Sequence, residues 1–150
     1  MTEINMILKS NDFEDGGDLD PKFSCDGKGI SPELHFDEVP EGTASLALSC
    51  IDPDSPSGHF VHWLVINLPV STTSIPAGGP VPEGTQEIEN DAGKTGFTGP
   101  CPGSGKHHYV FTLYALKTEK LDGVDKENFE QKIAENKIDK AKITGLYQRS

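Results

Sequence analysis

Basic residues are scarce in this chain of 150 residues: 13 Lys and Arg stand against 24 Asp and Glu, a formal charge of −11. That balance repels nucleic acid and anionic membrane surfaces, whose binding normally rests on a basic patch. No Lys/Arg cluster precedes the C-terminal region, where Lys132, Lys137, Lys140 and Lys142 are interleaved with acids and read as a solvated face. Long apolar runs are also missing, which excludes a transmembrane helix and integral membrane association. The N-terminal Met1-Thr2-Glu3-Ile4-Asn5 lacks the basic start and apolar core of a signal peptide, so the expected location is cytoplasmic. Cysteine is rare. Cys25, Cys50 and Cys101 lie far apart without a C-x-x-C, which argues against a zinc knuckle. The odd count, without a signal peptide, predicts reduced thiols. Cys50, inside Leu46-Ala47-Leu48-Ser49-Cys50-Ile51, reads as a small core residue. Cys25 and Cys101 lie in Gly-rich loops, where they can pair or help line a pocket, with buried inert thiols the expected state.

What is present is turn chemistry. Large apolar residues are few, with a hydrophobic fraction of 34%, while 16 Gly and 11 Pro favour a loop-rich β protein over a helical bundle. The length suits one domain over 1–150 with a single core. Ile4, Met6 and Leu8 alternate with polar neighbours as an opening strand, and Leu34-His35-Phe36 forms a short one. Ser45–Ile51 and Val61–Leu68 read as buried strands, the second apolar on nearly both faces as a central strand requires. Ser71–Thr95 is predicted to be a long connecting loop, and Tyr109–Leu116 the next central strand. Asp125 is placed to cap a helix running to about Asn136, with Phe129, Ile133 and Ala134 on one face. Lys140–Gln148 alternates as a last strand. Many short strands and one late helix point to an all-β sandwich with a small C-terminal helix.

Two segments carry the chemistry. Asp52-Pro53-Asp54-Ser55-Pro56 leads through a loop to His62-Trp63-Leu64-Val65-Ile66-Asn67-Leu68-Pro69, and Gly99-Pro100-Cys101-Pro102 leads through another to His107-His108-Tyr109-Val110-Phe111. Each is a rigid Pro/Gly loop with polar groups that feeds a buried strand. Strand parity puts His62, Leu64 and Ile66 on one face and His107, Tyr109 and Phe111 on one face. If the two strands are neighbours, His62 and His107 converge at one end of the sheet beside Asp52. Imidazole N–H, tyrosine O–H and loop amides then suit a phosphate or carboxylate oxygen, with Asp52 orienting a histidine and favouring its protonated form. His59 and His108 fall outside this parity and read as surface residues. His35 reads as a satisfied strand histidine, Asp54 as a turn cap, and Trp63 and Tyr114 as core.

These two segments resemble the signatures of the phosphatidylethanolamine-binding protein family, which includes the Raf kinase inhibitor proteins, and more closely its short bacterial and archaeal branch. Cys25-Asp26-Gly27, Ser31-Pro32-Glu33-Leu34, Asn90-Asp91 leading to Gly96-Phe97, and Gly145-Leu146-Tyr147 extend the resemblance over nearly the whole chain. It implies two packed antiparallel sheets with Greek-key links and a small C-terminal helix. It also implies a ligand pocket at Asp52, His62, Pro102, His107 and Tyr109, with Phe60 as an aromatic wall and no cofactor. Such pockets look suited to phosphoryl head groups and small anions, and some relatives inhibit kinases or proteases. Three positions depart from the pattern. Gly103 replaces a rim proline, Phe97 replaces a tyrosine, and Asn136-Lys137 replaces a Gly-His pair.

The leading expectation is therefore a non-enzymatic protein that binds a small anionic or phosphorylated ligand. A hydrolase using Asp52, His62 and His107 as acid and base is the alternative, with Cys101 the one nucleophile candidate. A metal site from His62, His107, Asp52 and Cys101 is a third, though their spacing gives it no support.

Overall fold

The computed structural model of the chain describes residues 5–149. Nine strands and one α-helix follow in order: β1 (Ile7–Lys9), β2 (Gly17–Asp18), β3 (Leu34–Asp37), β4 (Ser45–Asp52), β5 (Phe60–Pro69), β6 (Ser74–Ile75), β7 (Gln86–Ile88), β8 (His107–Leu116), α1 (Phe129–Asn136) and β9 (Lys137–Tyr147). The expected opening strand is present only as Ile7–Lys9, which includes Leu8; Met6 is buried just before it, and Ile4 lies outside the described residues.

The strands form two sheets. One has three strands in the order β1-β3-β6, and the other six in the order β2-β9-β8-β4-β5-β7. The expected central strands, β5 and β8, are both internal, with β4 between them. The expectation of a wholly antiparallel sandwich is corrected at one place: β2 runs parallel to β9, with Gly17 opposite Gly145 and Asp18 opposite Leu146. β9 leaves an open edge of backbone donors and acceptors, and the N-terminal loop covers it in the direction it happens to pass. Thr144 N donates to Asp15 Oδ1 at 2.8 Å, and Gly16 N donates to Thr144 O at 2.7 Å. The expected loop over 71–95 also gains two short strands, β6 and β7, which pair with β3 and β5.

Both faces of the large sheet are buried, which explains why β4 and β5 read as almost continuous apolar runs. On one face Leu48, Cys50, Trp63, Val65, Tyr109 and Phe111 join Leu8, Leu34, Phe36 and Ile75 of the small sheet in one cluster. On the other, Ala47, Val61, Leu64, Ile66 and Leu116 pack with Phe129 and Ile133 of α1 and with Leu121 and Val124. Ala134 is exposed rather than on the buried face of the helix. Asp125 shapes the turn before α1 instead of capping it: it exchanges two 2.8 Å bonds with Asn128, the N-cap residue.

Candidate ligand-binding site

The site forms where β4, β5 and β8 end together. The two histidine strands are not neighbours, as the convergence argument required, because β4 lies between them and places Asp52 there. The parity argument fails at His62 for a local reason. Opposite β4, Trp63 faces Cys50 and Val61 faces Ile51, so His62 is the extra residue of a β-bulge. A bulge bends the strand and re-aims a side chain. Leu64 and Ile66 therefore face the helix side, while His62 turns to the cavity with Tyr109, whose neighbour Phe111 lies in the inter-sheet core.

A cavity of about 270 Å³ opens at this end of the core. All six expected residues line it: Asp52, Phe60, His62, Pro102, His107 and Tyr109. Ser55, Pro56, Ala92, Thr98 and Gly99 complete much of its wall. Tyr109 is central. His62 stands edge-on to its ring at 5.2 Å between centroids, His107 stacks on it at 6.4 Å, and Phe60 covers His62 at 4.8 Å. Tyr109 is fully buried, and among the described residues its hydroxyl has no hydrogen-bond partner. A buried polar group left unpaired costs about 1–3 kcal/mol, and this residue lines the cavity, where an acceptor can reach its hydroxyl.

The hydrogen bonds assign the protons. Asp52 is 3% exposed; its Oδ2 accepts from His107 Nδ1 at 2.7 Å, and its Oδ1 accepts from the Asp54 amide at 2.8 Å. His107 Nε2 lies 3.0 Å from the Ser104 carbonyl. Both His107 nitrogens thus face acceptors, the pattern of an imidazolium. Burial opposes that charge. The hydrogen bond and charge of Asp52 outweigh it, aided by the Ser104 carbonyl and Asp54, and raise the His107 pKa above its ordinary value. His62, 5% exposed, is the opposite case. Burial lowers its pKa, and the Thr98 carbonyl, Asp52 and Asp91 offset this only in part. Its Nδ1 donates to Thr98 O at 2.8 Å, and Thr98 N donates back to the His62 carbonyl at 3.0 Å. Burial and the Asp52 charge together raise the Tyr109 pKa, so the phenol stays protonated. The histidine that Asp52 orients is therefore His107, and His62 is held by Thr98 instead.

The rim corrects the thiol expectation. Cys25 and Cys101 form a disulfide, and both residues are exposed, while Cys50 is the buried free thiol. Cys25 N also donates to Pro100 O at 3.0 Å, so the cavity loop is fastened to the segment around Phe23–Cys25. With Cys101 oxidised, the candidate nucleophile of the hydrolase reading is spent, and the metal reading loses its thiolate. Ser55 Oγ is paired with Ser57 Oγ at 3.1 Å. The expectation of reduced thiols therefore fails for Cys25 and Cys101 and holds for Cys50. Among the described residues no helix is long and apolar enough to cross a membrane.

The remaining histidines follow expectation. His108 is exposed and paired with Asp54 at 2.7 Å, and that pairing, led by the His108 backbone amide, holds the Asp54 carboxyl below its usual range. Asp54 is thus tied to His108, while Asp52 caps the turn. His59 is exposed near Glu130, and His35 is paired with Glu33 at 3.1 Å. Trp63 is core, donating to Glu87 Oε2 at 2.7 Å. Phe97 packs edge-on against Trp63 and does not line the cavity, so the tyrosine hydroxyl it lacks is no loss there. Lys137 sits opposite Leu116, at the far end of β9 from the His107–Tyr147 pair. Sequence reasoning missed Thr98 and Ser104 because each acts through a backbone carbonyl, which side-chain type does not announce. It also gave no role to the buried Asn90, which donates to Gly96 O and His62 O and accepts from the Ala92 and Lys94 amides.

The sequence matches the profile of the phosphatidylethanolamine-binding protein family over residues 9–148. A UPF0098 protein of Methanothermobacter thermautotrophicus is 42% identical over 151 residues, covering 96% of this chain and 99% of its own length. The crystal structure of CT736, a phosphatidylethanolamine-binding protein homolog of Chlamydia trachomatis, superimposes with a TM-score of 0.91 at 35% identity and covers 99% of this chain and 100% of its own. That of Escherichia coli YbcL gives 0.90 at 35% identity, with 97% and 99% covered. The chain belongs to the phosphatidylethanolamine-binding protein family, as a bacterial or archaeal member.

Proposed function

We propose that this chain is a binding protein whose cavity takes a small anionic ligand bearing a phosphoryl or carboxylate group. The observation that carries the reading is the buried, unpartnered Tyr109 hydroxyl beside the His107 imidazolium. An oxyanion accepts from that O–H and feels the imidazolium charge, in a site where burial strengthens both. Phe60, Pro56, Pro102 and Ala92 give apolar walls, and the volume exceeds what a bare phosphoryl group fills. The ligand therefore carries an apolar portion as well. The kinase or protease inhibition implied by the family resemblance has no cavity residue specific to it and stays outside the proposal.

An NMR titration with phenyl phosphate tests this. The first signals to move are those of His62, His107 and Tyr109. First movement in the Lys132–Lys142 segment instead would refute the cavity as the binding site.

A further inference from the structure

A second cavity, of about 310 Å³, opens beside β5 and β7 and shares no lining residue with the first. Its wall holds the chain's single tryptophan, Trp63 of β5. Glu87 of β7 stands opposite Val65, which puts it on the Trp63 face of the sheet, one diagonal step away. Trp63 Nε1 donates to Glu87 Oε2 at 2.7 Å, and Phe97 meets the indole edge-on at 5.6 Å between centroids. A Cβ at Gly96 would stand 3.2 Å from Glu87 Oε2, so bare backbone at that position leaves the carboxylate its place. Ser31, 5% exposed, belongs to the same lining.

The charge of this site is unbalanced. The indole N–H satisfies one oxygen of Glu87 but is neutral. Among the described residues no Lys, Arg or His forms an ion pair with Glu87. Lys126, which shares a surface groove with it, pairs instead with Asp91 at 3.3 Å. A half-buried carboxylate without a counter-charge is a costly group, and a cation that reaches it recovers that cost. Glu87 is the one acid of this cavity, and a bare divalent metal would need several oxygen ligands, so metal is the poorer fit. With Oε2 engaged by Trp63, Oε1 is the open oxygen. One open oxygen suits the point charge of an ammonium better than the two-pronged fork of a guanidinium.

We infer that this cavity is a second binding site and takes a primary ammonium on an apolar stem. The ammonium donates to Glu87 Oε1, and the stem lies along Trp63 and Phe97, whose rings attract a cation as well as apolar groups. The site stands apart from the anion-binding cavity, and neither reading needs the other.

The test is an NMR titration of the full chain with n-butylammonium chloride at fixed ionic strength, with n-butanol as the uncharged match for the stem. The Trp63 indole N–H and the Gly96 and Phe97 amides are the first signals to move, at about millimolar concentration. n-Butanol binds at least about tenfold more weakly, the worth of a hydrogen bond to a charged group. Glu87→Gln keeps an acceptor for Trp63 Nε1 while removing the charge, and its ammonium affinity falls at least about tenfold. Unmoved Trp63 signals, equal binding of n-butanol, or ammonium affinity retained in Glu87→Gln each overturn the inference. The n-butanol comparison uses the unaltered chain and decides the question by itself if the variant does not fold. Nα-Acetyl-lysine amide separates the two sources of such a group. Tighter binding than n-butylammonium upholds the site with a partner protein's lysine as its occupant, and weaker binding upholds it with a free amine.

Discussion

Asp52 holds His107, not His62. The 2.7 Å contact between Asp52 Oδ2 and His107 Nδ1 joins the ends of β4 and β8, while His62, one strand further along on β5, is held by the Thr98 backbone. Two histidines of one cavity therefore sit in opposite electrostatic states. His107 is favoured as imidazolium by its carboxylate, and His62 is kept neutral by burial.

This division fixes the order in which they titrate. In an NMR pH titration His62 protonates below the ordinary value of about 6.5 and His107 above it. The consequences for stability have opposite signs. The His107 contribution is complete below about pH 6.5 and is lost as pH rises through its raised pKa. The His62 contribution is present above about pH 6.5 and is lost as pH falls through its lowered pKa. From these two groups, resistance to urea peaks near pH 6.5. Asp52→Asn lowers the His107 pKa and flattens the alkaline side of that peak. The reverse order of titration, or an unmoved His107 in Asp52→Asn, would remove the assignment.

The rim loop is tight at one glycine and open at another. A Cβ at Gly99 would come within 2.7 Å of Phe23 O and 3.1 Å of Ser24 Cα, both backbone atoms that cannot swing aside. A Cβ at Gly103 would meet nothing within 4 Å. Gly99→Ala should cost about 1–3 kcal/mol of stability in urea unfolding, the usual penalty of overpacking. Gly103→Ala should be neutral or stabilise by up to about 1 kcal/mol through the unfolded chain. Equal effects of the two would show that the loop does not approach the Phe23–Cys25 segment as described.

The disulfide gives a count that mass spectrometry reads directly. Alkylation of the unfolded, unreduced protein labels Cys50 alone, and prior reduction exposes Cys25 and Cys101 as well. Cys25→Ser should lower stability by about 2–5 kcal/mol, since the bridge spans 76 residues of chain. Three adducts without reduction would contradict the pairing.

The longer strands, and the residues that come to line one cavity, were legible in the sequence for definite reasons. β4, β5 and β8 are apolar on both faces, and β9 alternates, so each left a periodic trace. The Pro-rich loops announced the residues around Asp52 and Pro102. The strand order was not legible, because nothing in β5 or β8 says that β4 separates them. Nor was the bulge at His62, since one unpaired residue changes which way a side chain points without changing composition. His62 does line the cavity, but through the bulge and not through the strand parity from which it was argued. The two-residue strands β2 and β6 are too short for any period to show. The cysteine pairing lay beyond reach because spacing fixes no connectivity.

The central claim, that this cavity holds an oxyanion through the Tyr109 hydroxyl, is tested most directly by Tyr109→Phe. The hydroxyl has no partner among the described residues, so its removal should leave stability unchanged or raise it by about 1 kcal/mol. Calorimetric affinity for phenyl phosphate should fall about tenfold to a hundredfold, the loss of one hydrogen bond to a charged group. Retained affinity in a stable Tyr109→Phe variant would contradict the account, as would a loss of stability that matches the loss of binding.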